Sequence, residues 1–403
     1  MKTLIPIIAG LLVVGCGKDE QSSNINKSNS LSSMHVKELP LKEQDNTKQL
    51  QLKVIEPPAS VEAIKVPNNG IQPFAMMDEA GTVHMIYYKG TDLYYVTRKK
   101  SMWSPAKQVS GHTQKGTILG PISTPKLAIG KNGRIHISWF RFGRRKSQFY
   151  YARMADDQAT FEKTVQFVRQ NAVGTETPAT VVADSKGNVA LIWHAGNFQE
   201  VEKRGIFMRF SKDEGKTFAA EMRISDEQAG ACPCCSLTAA FDSDGNLYTF
   251  FRGAEKKVKR GMILSKSKDQ GKSFISSAVD QWNLNSCPVS TNAMAQDANG
   301  KVWMAWESRN KIYFAKTDKP TPSYQVPASE IRQRSPSIAL NSKGEIMVAW
   351  AEGPMMGAGK LRWQLYNAQC KPINTKAPLP TKVSRSTAPV VLTNSQNNFV
   401  VFY

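Results

Sequence analysis

From Gln72 onward the apolar residues alternate with polar ones in short runs, and the runs repeat. "QPFAMMDEAGTVHMIYY" begins at Gln72, "TPKLAIGKNGRIHISWF" at Thr124, "TPATVVADSKGNVALIW" at Thr177 and "CSLTAAFDSDGNLYTFF" at Cys235. "CPVSTNAMAQDANGKVWMAW" follows at Cys287, "SPSIALNSKGEIMVAW" at Ser335 and "APVVLTNSQNNFVVFY" at Ala388. Each is a strand, an Asp/Asn-Gly type turn and a second strand ending in an aromatic, so each predicts a β-hairpin. The copies stand about 50 residues apart, the length of a four-stranded propeller blade. Shorter alternating runs such as "SQFYYARM" and "TVQFVR" supply the outer strands, and no long amphipathic helix is visible. The pattern predicts an all-β chain folded as a β-propeller.

Seven hairpins are present, which favours seven blades; six is the alternative if one unit is not a full blade. The last hairpin reaches Tyr403 without outer strands, while "QLQLKVIE" and "VEAIKV", within residues 49–66, are strands without partners. Pairing them across the two termini closes the ring and removes open sheet edges. The propeller is therefore assigned to residues 49–403.

Residues 17–48 are rich in Lys, Ser, Asn, Gln, Asp and Glu and cannot bury enough apolar surface to fold. They read as a flexible tether. The segment before them, "MKTLIPIIAGLLVVGC", has one positive charge and an apolar run too short to span a bilayer, the layout of a signal peptide over residues 1–15. Its end, Val13-Val14-Gly15-Cys16, resembles a bacterial lipobox. That resemblance implies acylation of Cys16, a membrane held through lipid chains, and a place in the cell envelope. Gly17 in place of Asp implies the outer membrane in a Gram-negative cell.

A second repeat lies inside the first. "SKDEGKTF" contributes Ser211, Asp213, Gly215 and Phe218, and "SKDQGKSF" contributes Ser267, Asp269, Gly271 and Phe274. "MADDQATF" is a degraded copy that aligns Asp156 with them. These stretches resemble the Asp box, or BNR repeat, of exported bacterial sialidase-like propellers. Turn chemistry explains them as structural elements. The resemblance also implies a Phe-Arg-Ile-Pro motif in the first blade, whose Arg helps clamp a substrate carboxylate. Here the stretch reads Gly70-Ile71-Gln72-Pro73, and no Arg precedes Arg98. Arginine's fork is poorly replaced at such a site. Nor do the family's Tyr-Glu pair and acidic Asp find matching motifs, so whether the chain is an enzyme stays open.

Propeller topology gathers the loops before the first strand and after the second strand of each blade on one face. That face is expected to carry Arg141, His194, Arg252, Glu307, Arg309, Arg334, Glu352 and Arg385 as ligand-binding residues, together with Met355 and Met356. It also carries Cys232, Cys234, Cys235 and Cys287, expected as one sulfur cluster between the fourth and fifth blades, while Cys370 falls on the opposite face. Outside the cytoplasm such cysteines form disulfides, hold Cu or Zn, or remain redox-active thiols. Cys-x-Cys-Cys also resembles a pattern in exported sialidase-like proteins. The formal charge of +20 favours an anionic partner such as an acidic glycan, and no nucleic-acid-binding motif is present. Three functions remain: an anchored propeller that binds an anionic ligand without chemistry, a divergent sialidase-like glycoside hydrolase, and an envelope metal or redox factor.

Overall fold

The computed structural model describes residues 59–110, 122–141, 148–167, 179–197, 199–354, 357–373, 382–383 and 388–403. Cys16, the tether, the run at 49–56, Met355, Met356, Arg385 and the basic stretch at 142–147 lie outside the described residues. Among the described residues no helix is long and apolar enough to cross a membrane.

Seven sheets form, six of four or five strands and a seventh of three. Their first strands are Ile71–Met77, Ile122–Ile129, Ala179–Ala183, Thr238–Phe241, Asn292–Gln296, Gln333–Leu340 and Val390–Thr393. Each first strand neighbours that of the next blade, and that of the seventh meets that of the first, so the sheets form a ring. Val61–Ile64 completes the seventh sheet by pairing in parallel with Phe399–Phe402. The chain ends are thus joined as the unpaired strands required, and the ring has seven blades.

Local chemistry explains the hairpins. Asp184, Asp242, Asp297, Asn341 and Asn394 each open a turn and accept main-chain N–H bonds two and four residues on. This is how a short amide or carboxylate side chain pins a turn. The fourth residue takes positive φ, at Gly187, Gly245, Gly300 and Gly344 and at Asn397 in the last copy. The recurrent prolines sit where first and second strands slip register, between Ile71 and Phe74, Ser123 and Lys126, and Arg334 and Ser337. A residue without an N–H is tolerated at such a bulge.

No single core runs through the molecule. Seven apolar clusters form, one between each pair of adjacent blades. Trp139, Trp193 and Trp306, on the second strands of three blades, are almost wholly buried in them. Each blade is held by its neighbours, and loops at the two ends of a blade are free to differ.

Candidate functional site

The run that opens the fourth blade is a tight turn. Pro233 and Cys234 occupy its two central positions, and Pro favours the first of these. Cys232 and Cys235 are therefore the turn's ends, and their sulfurs stand 3.2 Å apart. The working spacing is Cys-x-x-Cys, common in metal knuckles and dithiols. Reading the run only as Cys-x-Cys-Cys hid that signal. Just before it, Gly230 has φ +60, and a side chain there would meet the Ala254 carbonyl at 2.9 Å. The turn is pressed onto the blade, and the Cys232 N–H donates to the Arg252 carbonyl at 2.9 Å.

Polar bonds then draw the fifth blade in. The Ser236 N–H donates to the Ser290 carbonyl, the Asn292 N–H to Ser236 Oγ, and Thr238 Oγ1 to Asn292 Oδ1. This brings Cys287 Sγ to 3.2 Å from Cys232 and 3.9 Å from Cys235. Cys232, Cys235 and Cys287 form one group from neighbouring blades. Cys234 stands at its edge, within hydrogen-bonding reach of Cys287. None of the four is in a disulfide. Cys370 belongs elsewhere, in an outer turn of the sixth blade against the apolar cluster shared with the fifth.

The spacing bears on chemistry. Disulfide sulfurs are about 2.05 Å apart. Sulfurs bound tetrahedrally to one ion at about 2.3 Å are about 3.8 Å apart. The observed separations of 3.2, 3.2 and 3.9 Å lie nearer the second value, so Cys232, Cys235 and Cys287 could together hold one ion. Main-chain donors also favour thiolate: the Val289 N–H reaches Cys287 Sγ at 3.4 Å and the Ser290 N–H reaches Cys235 Sγ at 3.5 Å.

The three sulfurs differ in acidity. Hydrogen bonds from Cys232, Cys234 and Cys235 push the Cys287 thiol down. Bonding to Cys235 and Cys287, then burial, pushes Cys232 up, and burial raises Cys235 to about 11. Two buried guanidinium groups supply positive field, Arg252 at Cys235 and Arg204 at Cys232 and Cys234. A positive, partly open setting is what makes a cysteine a ligand or nucleophile.

His194 is fully buried on the third blade beside this group, and burial lowers its pKa to about 3. The Cys232 main chain comes close enough to favour the charged ring, but its geometry leaves both ring nitrogens without a hydrogen bond. Glu307 is buried too. Arg332 Nε donates to its Oε1 at 2.8 Å, Oε2 has no partner, and burial raises the carboxyl to about 7. Arg332 also donates to the Pro288 carbonyl at 2.9 Å, which links Glu307 to the Cys287 loop.

Of the remaining expected residues, Arg252 and Arg334 come near Glu307, and most are engaged within the fold. Arg252 is engaged inside the fold: Nε donates to Ser290 Oγ at 2.7 Å, and its other nitrogens donate to the Arg260 and Glu307 carbonyls. Arg141 lies by Asp92, Arg334 donates to the Gly357 carbonyl, Arg309 to the Gln281 carbonyl, and Glu352 accepts from Arg362. Arg204, Ser290 and Arg332 were missed because each reaches the site across a loop or blade seam that local sequence does not announce.

The opposite ends of these blades carry the Asp boxes. Asp213 accepts from Ser211 Oγ and from the N–H and hydroxyl of Thr217, and Gly215 N–H donates to Ser211 Oγ. Asp269, Ser267, Gly271 and Ser273 repeat the arrangement. Phe218 packs edge-on against Tyr151 of the preceding blade, and Phe274 joins the cluster between the third and fourth blades. In the degraded copy the turn carboxylate is Asp157, which accepts from the N–H and hydroxyl of Thr160. Asp156, aligned by sequence, instead pairs with Arg134 at 2.6 Å. The degraded turn is one residue shorter, so the aligned position has swung outward.

No protein-family model matches the chain, and no curated protein matches it. Among solved structures, one from Dyadobacter fermentans described as of unknown function aligns over 73% of this chain and 94% of its own, with TM-score 0.52 and 14% identity. Penicillium chrysogenum α-L-arabinanase aligns over 76% and 95%, with TM-score 0.49 and 11% identity. Trypanosoma rangeli sialidase aligns over 72% and 53%, with TM-score 0.48 and 11% identity. The first likeness is one of fold, and no functional weight rests on the other two.

Proposed function

We propose that this is an envelope propeller that binds one soft metal ion, Cu(I) or Zn(II), through Cys232, Cys235 and Cys287. One observation carries the reading: three unbonded sulfurs from two blades lie 3.2 to 3.9 Å apart. Thiolate ligands select such ions. Cys16 would anchor the chain by lipid, which labelling with a fatty-acid analogue and a Cys16→Ser variant tests. For the site, the full chain is purified from the envelope without oxygen, offered each ion, and assayed for metal and free thiols. About one ion per chain is expected, lost in Cys287→Ser. A parent chain that retains neither ion overturns the reading, whether its thiols are then free or paired.

A second reading, a divergent glycan-cleaving enzyme, has one observation in favour. Glu307 is raised to about 7, so it can hold or release a proton near neutrality. Cleavage of an acidic oligosaccharide that Glu307→Gln abolishes supports it; no cleavage by the parent sinks it. Sialoside hydrolysis is not expected, since Ile71 stands where the sialidase motif has arginine. Anion binding without chemistry is supported less well. Arg252, whose charge reaches Cys235, is already fully engaged within the fold.

A further inference from the structure

The four cysteines of this region are not equivalent. Cys232 and Cys235 are 0% and 1% exposed, whereas Cys234 and Cys287 are half-buried. The turn explains the difference, because its two ends converge on one side while Cys234 occupies a central corner. Cys234 lies outside the close group of three yet reaches Cys287. An ion arriving from solvent therefore meets the pair Cys234 and Cys287 before it reaches the buried pair Cys232 and Cys235. Arg204 places a buried positive charge beside both Cys232 and Cys234.

We propose that Cys234 is an exchange ligand, which with Cys287 takes the ion from a thiolate-bearing carrier and passes it to Cys232 and Cys235. This rests on the metal reading above and adds a route and a class of partner. Each step replaces one metal–sulfur bond by another. The bond to the carrier breaks as the bond to Cys234 forms, and the bond to Cys234 breaks as a buried cysteine binds. Each incoming thiol gives its proton to the departing thiolate or to water. The ion keeps its charge, and no oxidant or reductant takes part. Cys287 stays bound to the ion throughout, first beside Cys234 and then beside Cys232 and Cys235, so the ion is never released in passing.

The test follows transfer of Cu(I) from its glutathione complex to the full chain in rapid mixing. Parent, Cys234→Ser, Cys234→Ala, Cys234→Met and Cys287→Ser are compared, with melting curves recorded for each. Cys234→Ser and Cys234→Ala are expected to bind one ion per chain with affinity changed by less than about threefold. Their transfer rate is expected to fall by about tenfold or more. Cys234→Met, which restores a sulfur donor, is expected to recover much of the rate; a merely structural role for Cys234 gives no such rescue. Transfer as fast as in the parent overturns the proposal. So does loss of the ion from well-folded Cys234→Ser and Cys234→Ala, which makes Cys234 a permanent ligand. A parent chain that takes no ion, from glutathione or as free Zn(II), defeats the metal reading itself, and that result is distinct from an unchanged rate.

Discussion

The third and fourth blades end in two very different sets of turns. At the Asp-box end polar side chains are matched: Ser211 and Ser267 both bond their boxes, and Asp213 and Asp269 each accept from main chain and hydroxyl. At the cysteine end His194 has two buried nitrogens without partners, Arg260 two, and Glu307 one such oxygen. Burying a polar atom unpaired costs about 1–3 kcal/mol. The Asp-box end is the better matched, although Arg209 Nε there is buried without a partner, and the end with more unmet polar atoms is the better candidate for a role besides stability. The repeat that is easiest to recognise in the sequence is accordingly the part with the least chemistry.

The contrast predicts opposite responses to substitution. The largest effect is expected from Cys287→Ser, which should cut bound Cu(I) or Zn(II) from about one per chain to below about a tenth, with little change in the melting temperature of the metal-free chain, read by metal analysis and calorimetry. Gly215→Ala should do the reverse. The glycine has φ +77, and a Cβ there would lie 1.9 Å from Tyr151 Oη. A cost of about 2–4 kcal/mol in urea unfolding is expected, with ion content unchanged. If Gly215→Ala also loses the ion, the two ends are coupled and the comparison breaks.

Asp213→Ala should cost less, roughly 1 kcal/mol, because the turn is exposed to water that competes for its bonds. Its sign with pH is specific. Burial raises the Asp213 carboxyl, but bonds from Thr217 and Ser211 outweigh this and hold it at about 2. The unfolded group titrates near 3.8. Its contribution is therefore present above pH about 4 and lost as pH falls toward 2. Acid unfolding curves of parent and variant should converge there. The smallest effect separates the degraded box: Asp157→Ala should lower the melting temperature more than Asp156→Ala, and the opposite order would restore the aligned aspartate.

The fold was legible because strand alternation and turn residues are local properties, repeated seven times. Asp184, Asp242 and Asp297 each announce a turn in five residues of sequence. The site was legible only in part. The cysteines could be seen, and the ring topology placed Cys287 near the "ACPCCS" turn. Their arrangement could not be seen in full, because it depends on Pro233 setting the turn so that its two ends converge. The engagement of Arg252 was hidden for a related reason. A guanidinium at a strand end looks available until the Arg260 and Glu307 carbonyls, from other segments, are found against it. Bonds across blade seams leave no period in the chain.

The parallel pairing of Val61–Ile64 with Phe399–Phe402 has a consequence for how the molecule comes into being. A ribosome makes the first of these strands more than three hundred residues before the second. Six blades can be laid down in order while the opening strand has no mate. For all that time the growing chain carries an exposed edge at its start and another at its latest blade, and unpaired edges invite pairing with other chains. That interval is best passed away from other nascent copies. The act that removes both edges is the last one, so a fragment that stops before Phe399 should behave as a sticky, open arc rather than as a smaller version of the protein.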